Sequence, residues 1–333
     1  MKLSKGQKRV LRIVASVALV VGIFWFIPFK EVIESFRKVR IDYVLYAFAL
    51  NLVSAYLEGV QLWILLKRAA VPTDIWNVFE TKMTTRFYAQ FLPSELMAAS
   101  VKFYRLAEPT KQWGEVMAAL VFFRVINMGA LTLLGFAFWA VEMPKGPGRW
   151  IGLVLIVMTL LLLGLHLVLS SRRVARLGKR LLRTRWFAWF KGKLVDKIKE
   201  FTNKTIASYR LFHASALTIT LFAVVRHGIG IFSFWIAALA LDIDLSFLTI
   251  GWIRVVLHAI MSLPISLSGI GVREGSLVLL LHEYGVSGAD AVALAFLLFI
   301  INLAQNSLGG IFELKNMIRP KPREDAPARS ETP

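Results

Sequence analysis

The sequence predicts an all-α protein that crosses a membrane several times. Hydrophobic residues make up 57% of the 333-residue chain and charged residues only 18%, and the mean hydropathy is +0.62, values typical of a chain embedded in lipid. The apolar runs are continuous over roughly 20 residues, the helix length that crosses the hydrocarbon, whereas a membrane β-barrel has short alternating segments. The chain contains no cysteine, which excludes disulfides, thiol catalysis and cysteine-ligated metals.

Six long apolar runs are expected to span the membrane. They cover residues 10–29, 43–66, 114–141, 150–171, 211–241 and 288–314. The first run ends with Pro28 and Phe29 and is followed by Lys30, where a signal peptide would carry a small-residue cleavage site. We therefore expect it to remain as an anchor.

Two further apolar segments, 75–106 and 246–283, are interrupted by prolines, glycines and charges. The residues expected to break the backbone are Pro93 in the first segment and Pro264, Gly269 and Gly271 in the second. Irregular backbone at membrane depth is tolerated where it is buried in protein or lines a wet cavity. Each segment is therefore expected to be a broken or re-entrant helix, or else two ordinary spans joined at a proline kink.

The distribution of basic residues predicts the orientation in the membrane. The loop 172–210 contains 13 Lys and Arg residues against Asp196 and Glu200, and such loops face the cytoplasm. Both termini are also basic and are placed inside, in the cytoplasmic (inner) membrane. The loops 30–42 and 142–149 then face outwards. We expect one integral membrane domain over residues 1–319 and a disordered tail over 320–333.

The net charge of +19 does not predict nucleic-acid binding, because the positive charges flank membrane spans. Within residues 172–199 they alternate with aromatic and aliphatic residues. This composition is typical of an amphipathic helix on an anionic membrane surface.

The order of segments suggests an internal repeat. A long span, an interrupted segment and a long span occur over 43–141 and again over 211–314, entering the membrane from opposite sides. In the first copy Arg86 precedes Pro93 and Lys102 follows it, and in the second Arg254 precedes Pro264 and Arg273 follows it. Matching interrupted helices in two inverted halves indicate a transport site near the membrane midplane.

The segment from Pro264 to Gly275, Pro-Ile-Ser-Leu-Ser-Gly-Ile-Gly-Val-Arg-Glu-Gly, closely resembles the signature of the lysylphosphatidylglycerol synthase transmembrane, or flippase-like, family. In the first half, Phe91-Leu92-Pro93 followed by Lys102 looks like the turn of that family that ends in a basic residue. Arg124 lies where that pattern usually has an arginine. The sequence departs from the family at Ser94, Glu95 and Met97, which replace small residues.

The resemblance implies movement of a modified or anionic lipid between leaflets, either an aminoacylated phosphatidylglycerol or a polyprenyl-phosphate-linked lipid. No soluble synthetase segment, nucleotide-binding motif or catalytic carboxylate pair is found in the sequence, so we expect no enzyme activity and no cofactor. The partners expected are membrane lipids, a lipid-modifying enzyme and a second copy of the chain. The alternatives are a non-transporting partner of a lipid-modifying enzyme or glycosyltransferase, and an intramembrane transferase.

Charged residues at membrane depth are the candidate site residues, because placing a charge there costs several kcal/mol. Those expected to bind the lipid head group are Arg273, Glu274, Lys102, Arg124, Arg254 and Arg226. Those that could couple transport to protons are Glu58, Glu274 and Glu283. For Arg273 the alternative is a structural ion pair, and for Arg124 it is a structural pairing with Glu58 or Glu95. For Glu58, together with Gln61, it is hydrogen bonding between helices.

Overall fold

The computed structural model describes residues 29–90, 95–144, 148–171, 193–261 and 270–318, and these form helices without β-strands. The all-α fold predicted from the sequence is confirmed. The α-helices are α1 Phe29–Arg37, α2 Ile41–Arg68, α3 Ile75–Ala89, α4 Glu95–Ala107, α5 Trp113–Glu142, α6 Gly148–Ser170, α7 Lys193–Leu211, α8 Ala216–Leu239, α9 Phe247–Met261, α10 Val272–His282 and α11 Gly288–Ile318, with a 3-10 turn at Phe212–Ser215.

Five helical stretches within the described residues are long and apolar enough to cross a membrane. They are Ile41–Arg68, Trp113–Glu142, Arg149–Leu167, Glu200–Leu239 and Gly288–Lys315. They correspond to five of the six predicted spans. The remaining prediction, 10–29, lies outside the described residues except at its last position.

Helices α2 and α8 pack side by side in antiparallel directions. The Gln61 side chain donates to the Ile219 carbonyl oxygen at 2.8 Å, and the Asn51 side chain donates to Ser233 Oγ at 2.7 Å. Residue numbers rise along one helix as they fall along the other. Gln305 of α11 donates to the Asn51 carbonyl oxygen at 2.9 Å. The predicted hydrogen bonding of Gln61 between helices is confirmed, and such bonds fix helix positions where no hydrophobic effect can.

Each interrupted segment contains two short helices, α3 and α4 in the first and α9 and α10 in the second. Pro93, Pro264 and Gly269 lie outside the described residues. Gly271, which precedes α10, has φ +82°, a left-handed conformation that glycine adopts without steric cost. The short helices also pack across the molecule, α3 against α11 and α9 against α5.

The contact between α3 and α11 is close because α11 has a glycine there. A Cβ added at Gly309 would overlap the carbonyl group of Met83 in α3. Small residues let the backbones of membrane helices approach in this way. The apolar interior lies in two large clusters, one mainly between α8, α9, α10 and α11, the other mainly between α2, α5 and the residues around α7.

Two predicted loops are partly helical. Within 30–42, helix α1 buries Val32 and packs Phe36 against the cluster around α11. These two apolar residues lie four positions apart and therefore on the same face of the helix. Charged residues lie around them, so the composition of the segment does not reveal this apolar face. Within 172–210, helix α7 packs against α5 and buries Tyr209. Residues 172–192, and with them most of the predicted amphipathic helix, lie outside the described residues.

Candidate functional site

A single carboxylate, that of Glu58 in α2, pairs with three cations from two other helices. Glu58 Oε2 lies 2.9 Å from Lys82 Nζ, 2.9 Å from an Arg86 nitrogen and 3.7 Å from an Arg226 nitrogen. Lys82 and Arg86 come from α3, and Arg226 comes from α8. The pairing therefore joins the first interrupted segment to both helices of the central antiparallel pair.

Lys82 is the most enclosed member of this group, with 1% of its surface exposed. Its ammonium also donates to the Ala55 carbonyl oxygen. Lys82 and Arg86 are four residues apart, so they project from the same face of α3 towards α2. A buried ammonium is tolerated when it is paired and hydrogen-bonded, as Lys82 is.

Arg226 connects the group to α5. It donates to Asn127 Oδ1 at 2.6 Å, and another contact of 2.9 Å joins it to His227 Nε2. His227 Nε2 also lies 3.0 Å from the Asn127 carbonyl oxygen. Asn127 and His227 are both buried, so they fix the direction in which the guanidinium of Arg226 points.

Three further cations surround this centre. Lys102 interacts electrostatically with Glu58, Arg86 and Arg124, and Arg254 interacts with Arg226. The guanidinium of Arg254 lies against Gly230 of α8. We use the name basic cluster for Lys82, Arg86, Lys102, Arg124, Arg226 and Arg254. His258, one turn after Arg254 in α9, interacts with the same charges.

The basic cluster extends from a buried side to an exposed side. Lys82 is buried, Arg86, Lys102, Arg226 and Arg254 are partly buried, and Arg124 is exposed, as is the neighbouring His258. Arg124 is the twelfth of 30 residues in α5, about 17 Å from the start of a helix about 45 Å long. At that depth an arginine facing lipid tails would cost several kcal/mol. Water, a polar head group or an ion-pair partner is the surrounding that suits this charge.

The structure places Arg273 and Glu274 in the first turn of α10. Glu274 is buried and its carboxylate accepts the backbone N–H of Gly271 at 2.6 Å, which caps the helix as acidic residues in a first turn do. The Arg273 guanidinium lies 5.4 Å from the centre of the Phe299 ring. Glu283 follows α10 and is exposed. The roles predicted for these three residues stay predictions.

The basic cluster contains four of the six predicted head-group residues, Lys102, Arg124, Arg226 and Arg254, and three of its members pair with the predicted Glu58. Sequence reasoning missed Lys82 and Asn127 and treated Arg86 only as an interruption. The spacing of Lys82 and Arg86, two cations four residues apart in an apolar segment, was the available signal. Nothing in the sequence distinguishes Asn127 from other polar residues of long helices.

A family model for the lysylphosphatidylglycerol synthase TM region matches residues 13–310 of the chain. The chain belongs to this family. The match covers the first predicted repeat, all but the last four residues of the second, and every residue of the basic cluster. It confirms the family suggested by the segment from Pro264 to Gly275, and it identifies an integral membrane protein connected with lipid handling. No curated protein and no solved structure matches the chain.

Proposed function

We propose that this protein moves a lipid with a phosphate-bearing head group between the two leaflets of the membrane, through a groove lined by the basic cluster. The observation that carries the proposal is the exposure of Arg124 in the middle of α5, continuous with the partly buried cations around Glu58.

The physical task of a flippase fits such a group. A lipid crosses slowly because its polar head must pass about 30 Å of hydrocarbon, while its tails can remain in lipid. Cations along the path replace water around the phosphate. Arginine suits this role because its planar guanidinium binds two phosphate oxygens at once and keeps its charge when desolvated.

The protein lies in the cytoplasmic (inner) membrane with both termini in the cytoplasm, in accord with the positive charge of residues 172–210. It has no catalytic activity of its own, and lipids are its principal partners. Transport is then passive or driven by an ion gradient. Glu58 is the acid that the described residues place among these cations, so its protonation would couple a proton to release of the cations that it now holds.

The test is lipid translocation in proteoliposomes with head-group-labelled anionic lipids. We compare the wild type with Arg124→Gln and Arg254→Gln. A hydrogen bond to a charged group is worth about 1.5–3 kcal/mol, so the translocation rate of each variant should fall by about tenfold or more. Arg149→Gln is the matched control because Arg149 is exposed at the start of α6, beside Trp150, outside the basic cluster.

Equal rates in all four proteins would contradict a basic path, and no translocation by any of them, with or without a proton gradient, would contradict transport. The second outcome favours a non-transporting partner of a lipid-modifying enzyme. One observation supports that alternative: the family is named for the membrane region of a lipid-modifying synthase. In that case the variants should alter the activity of the associated enzyme and not translocation.

A further inference from the structure

We infer that His227 is a positioning residue for Arg226, and that a proton on His227 Nε2 decides whether the guanidinium is held in place or is free to turn towards Glu58 and the lipid head group. This inference rests on the proposed function and specifies how a proton would regulate it. The reason lies in a single ring nitrogen, which faces a donor on one side and an acceptor on the other.

The two polar neighbours of His227 Nε2 require opposite protonation states of that nitrogen. An Arg226 nitrogen at 2.9 Å can only donate, and the Asn127 carbonyl oxygen at 3.0 Å can only accept. A bare Nε2 accepts from Arg226 and then faces the carbonyl oxygen with a lone pair. A protonated Nε2 donates to the carbonyl oxygen and has no lone pair left for Arg226. The ring therefore satisfies one neighbour at a time.

The neutral ring is expected to keep its proton on Nδ1 and to accept from Arg226. A hydrogen bond from a charged guanidinium is stronger than one between neutral groups. Asn127 lies inside α5, where the helix supplies a backbone N–H to its carbonyl oxygen. Loss of the ring as a donor therefore costs this carbonyl little, whereas loss of the ring as an acceptor costs Arg226 a charged hydrogen bond.

The other contacts of Arg226 allow the ring to control its direction. The nitrogen that contacts His227 also donates to Asn127 Oδ1 at 2.6 Å, and Asn127 Nδ2 donates to the Phe123 carbonyl oxygen at 2.8 Å, which fixes the amide. A second Arg226 nitrogen lies 3.7 Å from Glu58 Oε2, beyond hydrogen-bond distance. When both ring nitrogens are protonated, Arg226 loses one acceptor and gains a like charge beside it. It can then turn about Asn127 Oδ1 towards Glu58 or a phosphate oxygen.

The charged groups around His227 determine how its protonation and lipid binding influence each other. Helix α8 packs against α2, α5, α9 and α11. The ionisable groups near the ring are Arg226 of α8, Arg254 and His258 of α9, Glu58 of α2 beside Arg226, and Arg124 of α5, three residues before Asn127. Helix α11 has no ionisable residue between Asp290 and Glu313. An anionic head group beside Arg226 would compete with His227 for the guanidinium and would favour the protonated ring. Lipid binding and proton uptake should therefore assist each other.

The direct test is nitrogen-15 NMR of the full chain in detergent with labelled histidine, recorded between about pH 8 and pH 5, where histidines titrate. Spectra are recorded with and without short-chain phosphatidylglycerol. Bare and protonated ring nitrogens resonate far apart, and the His227 signal is identified among those of the five histidines by its loss in His227→Gln or by elimination. We expect a bare Nε2 at high pH and two protonated nitrogens at low pH, with the transition at higher pH when the lipid is present. A proton that stays on Nε2 at every pH, or a bare Nε2 at every pH with and without lipid, would overturn the inference.

Translocation in proteoliposomes over the same pH range tests the consequence for transport. The wild type should become faster by about tenfold or more as the pH falls, because a charged hydrogen bond no longer holds Arg226. In His227→Gln an amide oxygen accepts from Arg226 while the amide N–H donates to Asn127, so this variant should keep the slow rate at every pH. His227→Phe offers neither group and should keep the fast rate. His282→Gln, at the exposed end of α10, is the matched control and should respond to pH as the wild type does.

The outcomes separate this inference from the proposed function. Two protonation states of His227 by NMR, without translocation by the wild type at any pH, would support the control of Arg226 and contradict transport. Translocation that does not depend on pH, or that depends on it equally in the wild type and both His227 variants, would support transport and overturn the inference. Equal rates in His227→Gln and His227→Phe would also overturn it. Each variant is checked for a single symmetrical peak in gel filtration, and if one misfolds, the spectra of the wild type decide.

Discussion

Lys82 and Glu58 constrain the site most strongly at the scale of single residues. Lys82 is almost fully buried and its charge is offset by Glu58 at 2.9 Å. Breaking a buried ion pair by removing one partner costs more than replacing both partners, because the remaining charge is left uncompensated. The pair therefore has a structural function beside any role in transport, and the two can be separated by mutation.

We predict that Glu58→Gln lowers the free energy of unfolding by about 3–5 kcal/mol, the usual cost of breaking a buried pair. The double variant Glu58→Gln with Lys82→Met should recover part of this loss, since no unpaired ammonium then remains. Thermal or denaturant unfolding in detergent, followed by tryptophan fluorescence, measures both changes. A double variant that is less stable than the single variant would contradict the explanation.

Gly230 provides a second prediction at this scale, because it leaves the space that the Arg254 guanidinium occupies. A Cβ there would overlap that group, so Gly230→Ala should displace Arg254 and slow lipid translocation several-fold. The displaced group is the flexible end of a side chain, so stability should change by less than about 1 kcal/mol.

The control for that prediction is Gly228→Ala on the same helix. A Cβ at Gly228 meets no atom within 4 Å, and alanine is the better helix former at both positions. Translocation should therefore be unchanged in the control. If both variants slow translocation equally, the effect comes from helix α8 as a whole and not from the position of Arg254.

A polar contact joins the first interrupted segment to the last helix at the scale of secondary-structure elements. One nitrogen of Arg105 in α4 lies 2.7 Å from each carboxylate oxygen of Glu313 in α11, and the Tyr88 hydroxyl of α3 donates to the same carboxylate at 2.7 Å. Together with the close packing at Gly309, this contact fixes α3 and α4 against α11. It therefore helps to position Lys82, Arg86 and Lys102.

We predict that Arg105→Leu destabilises the protein by about 1–3 kcal/mol, the cost of leaving a partly buried carboxylate without its charged partner. Arg105→Lys keeps the charge with a single ammonium and should lie between Arg105→Leu and the wild type. Unfolding midpoints in detergent test the order. If lysine and leucine give the same midpoint, the charge of Arg105 does not contribute.

The elements show what the sequence could and could not predict. Long spans such as α5 and α11 were predictable because a run of about 20 apolar residues has few other folds. Helix α1 was not, because its buried residues lie among charges. Arg226 and Arg254 were identifiable as costly charges at membrane depth. Their grouping around Glu58 was not, because it depends on contacts between helices distant in sequence.

The packing of the whole molecule is reciprocal between the two predicted repeats. Helix α3 of the first packs on α11, the last helix of the second, and α9 of the second packs on α5, the last helix of the first. The first long helices, α2 and α8, pack antiparallel to each other. Glu58 lies as many residues after position 43, the start of the first predicted repeat, as Arg226 lies after position 211, the start of the second. An Arg226 nitrogen lies 3.7 Å from Glu58 Oε2. This reciprocity is the pattern expected of two halves related by an inverting two-fold axis near that pair.

If the repeats are inverted, the connection after α2 and the connection after α8 lie on opposite sides of the membrane. The chain lacks cysteine, so single cysteines can be introduced without background labelling. Lys67→Cys, at the end of α2, and Asp244→Cys, between α8 and α9, both replace exposed residues. In sealed cells a membrane-impermeant maleimide should label Asp244→Cys alone, and in inverted vesicles Lys67→Cys alone, with the cysteine-free wild type as the blank. Labelling of both positions from the same side would contradict the inversion. That result would mean that the two halves around the basic cluster have the same orientation in the membrane. The two halves could not then exchange conformations to open the groove first to one leaflet and then to the other.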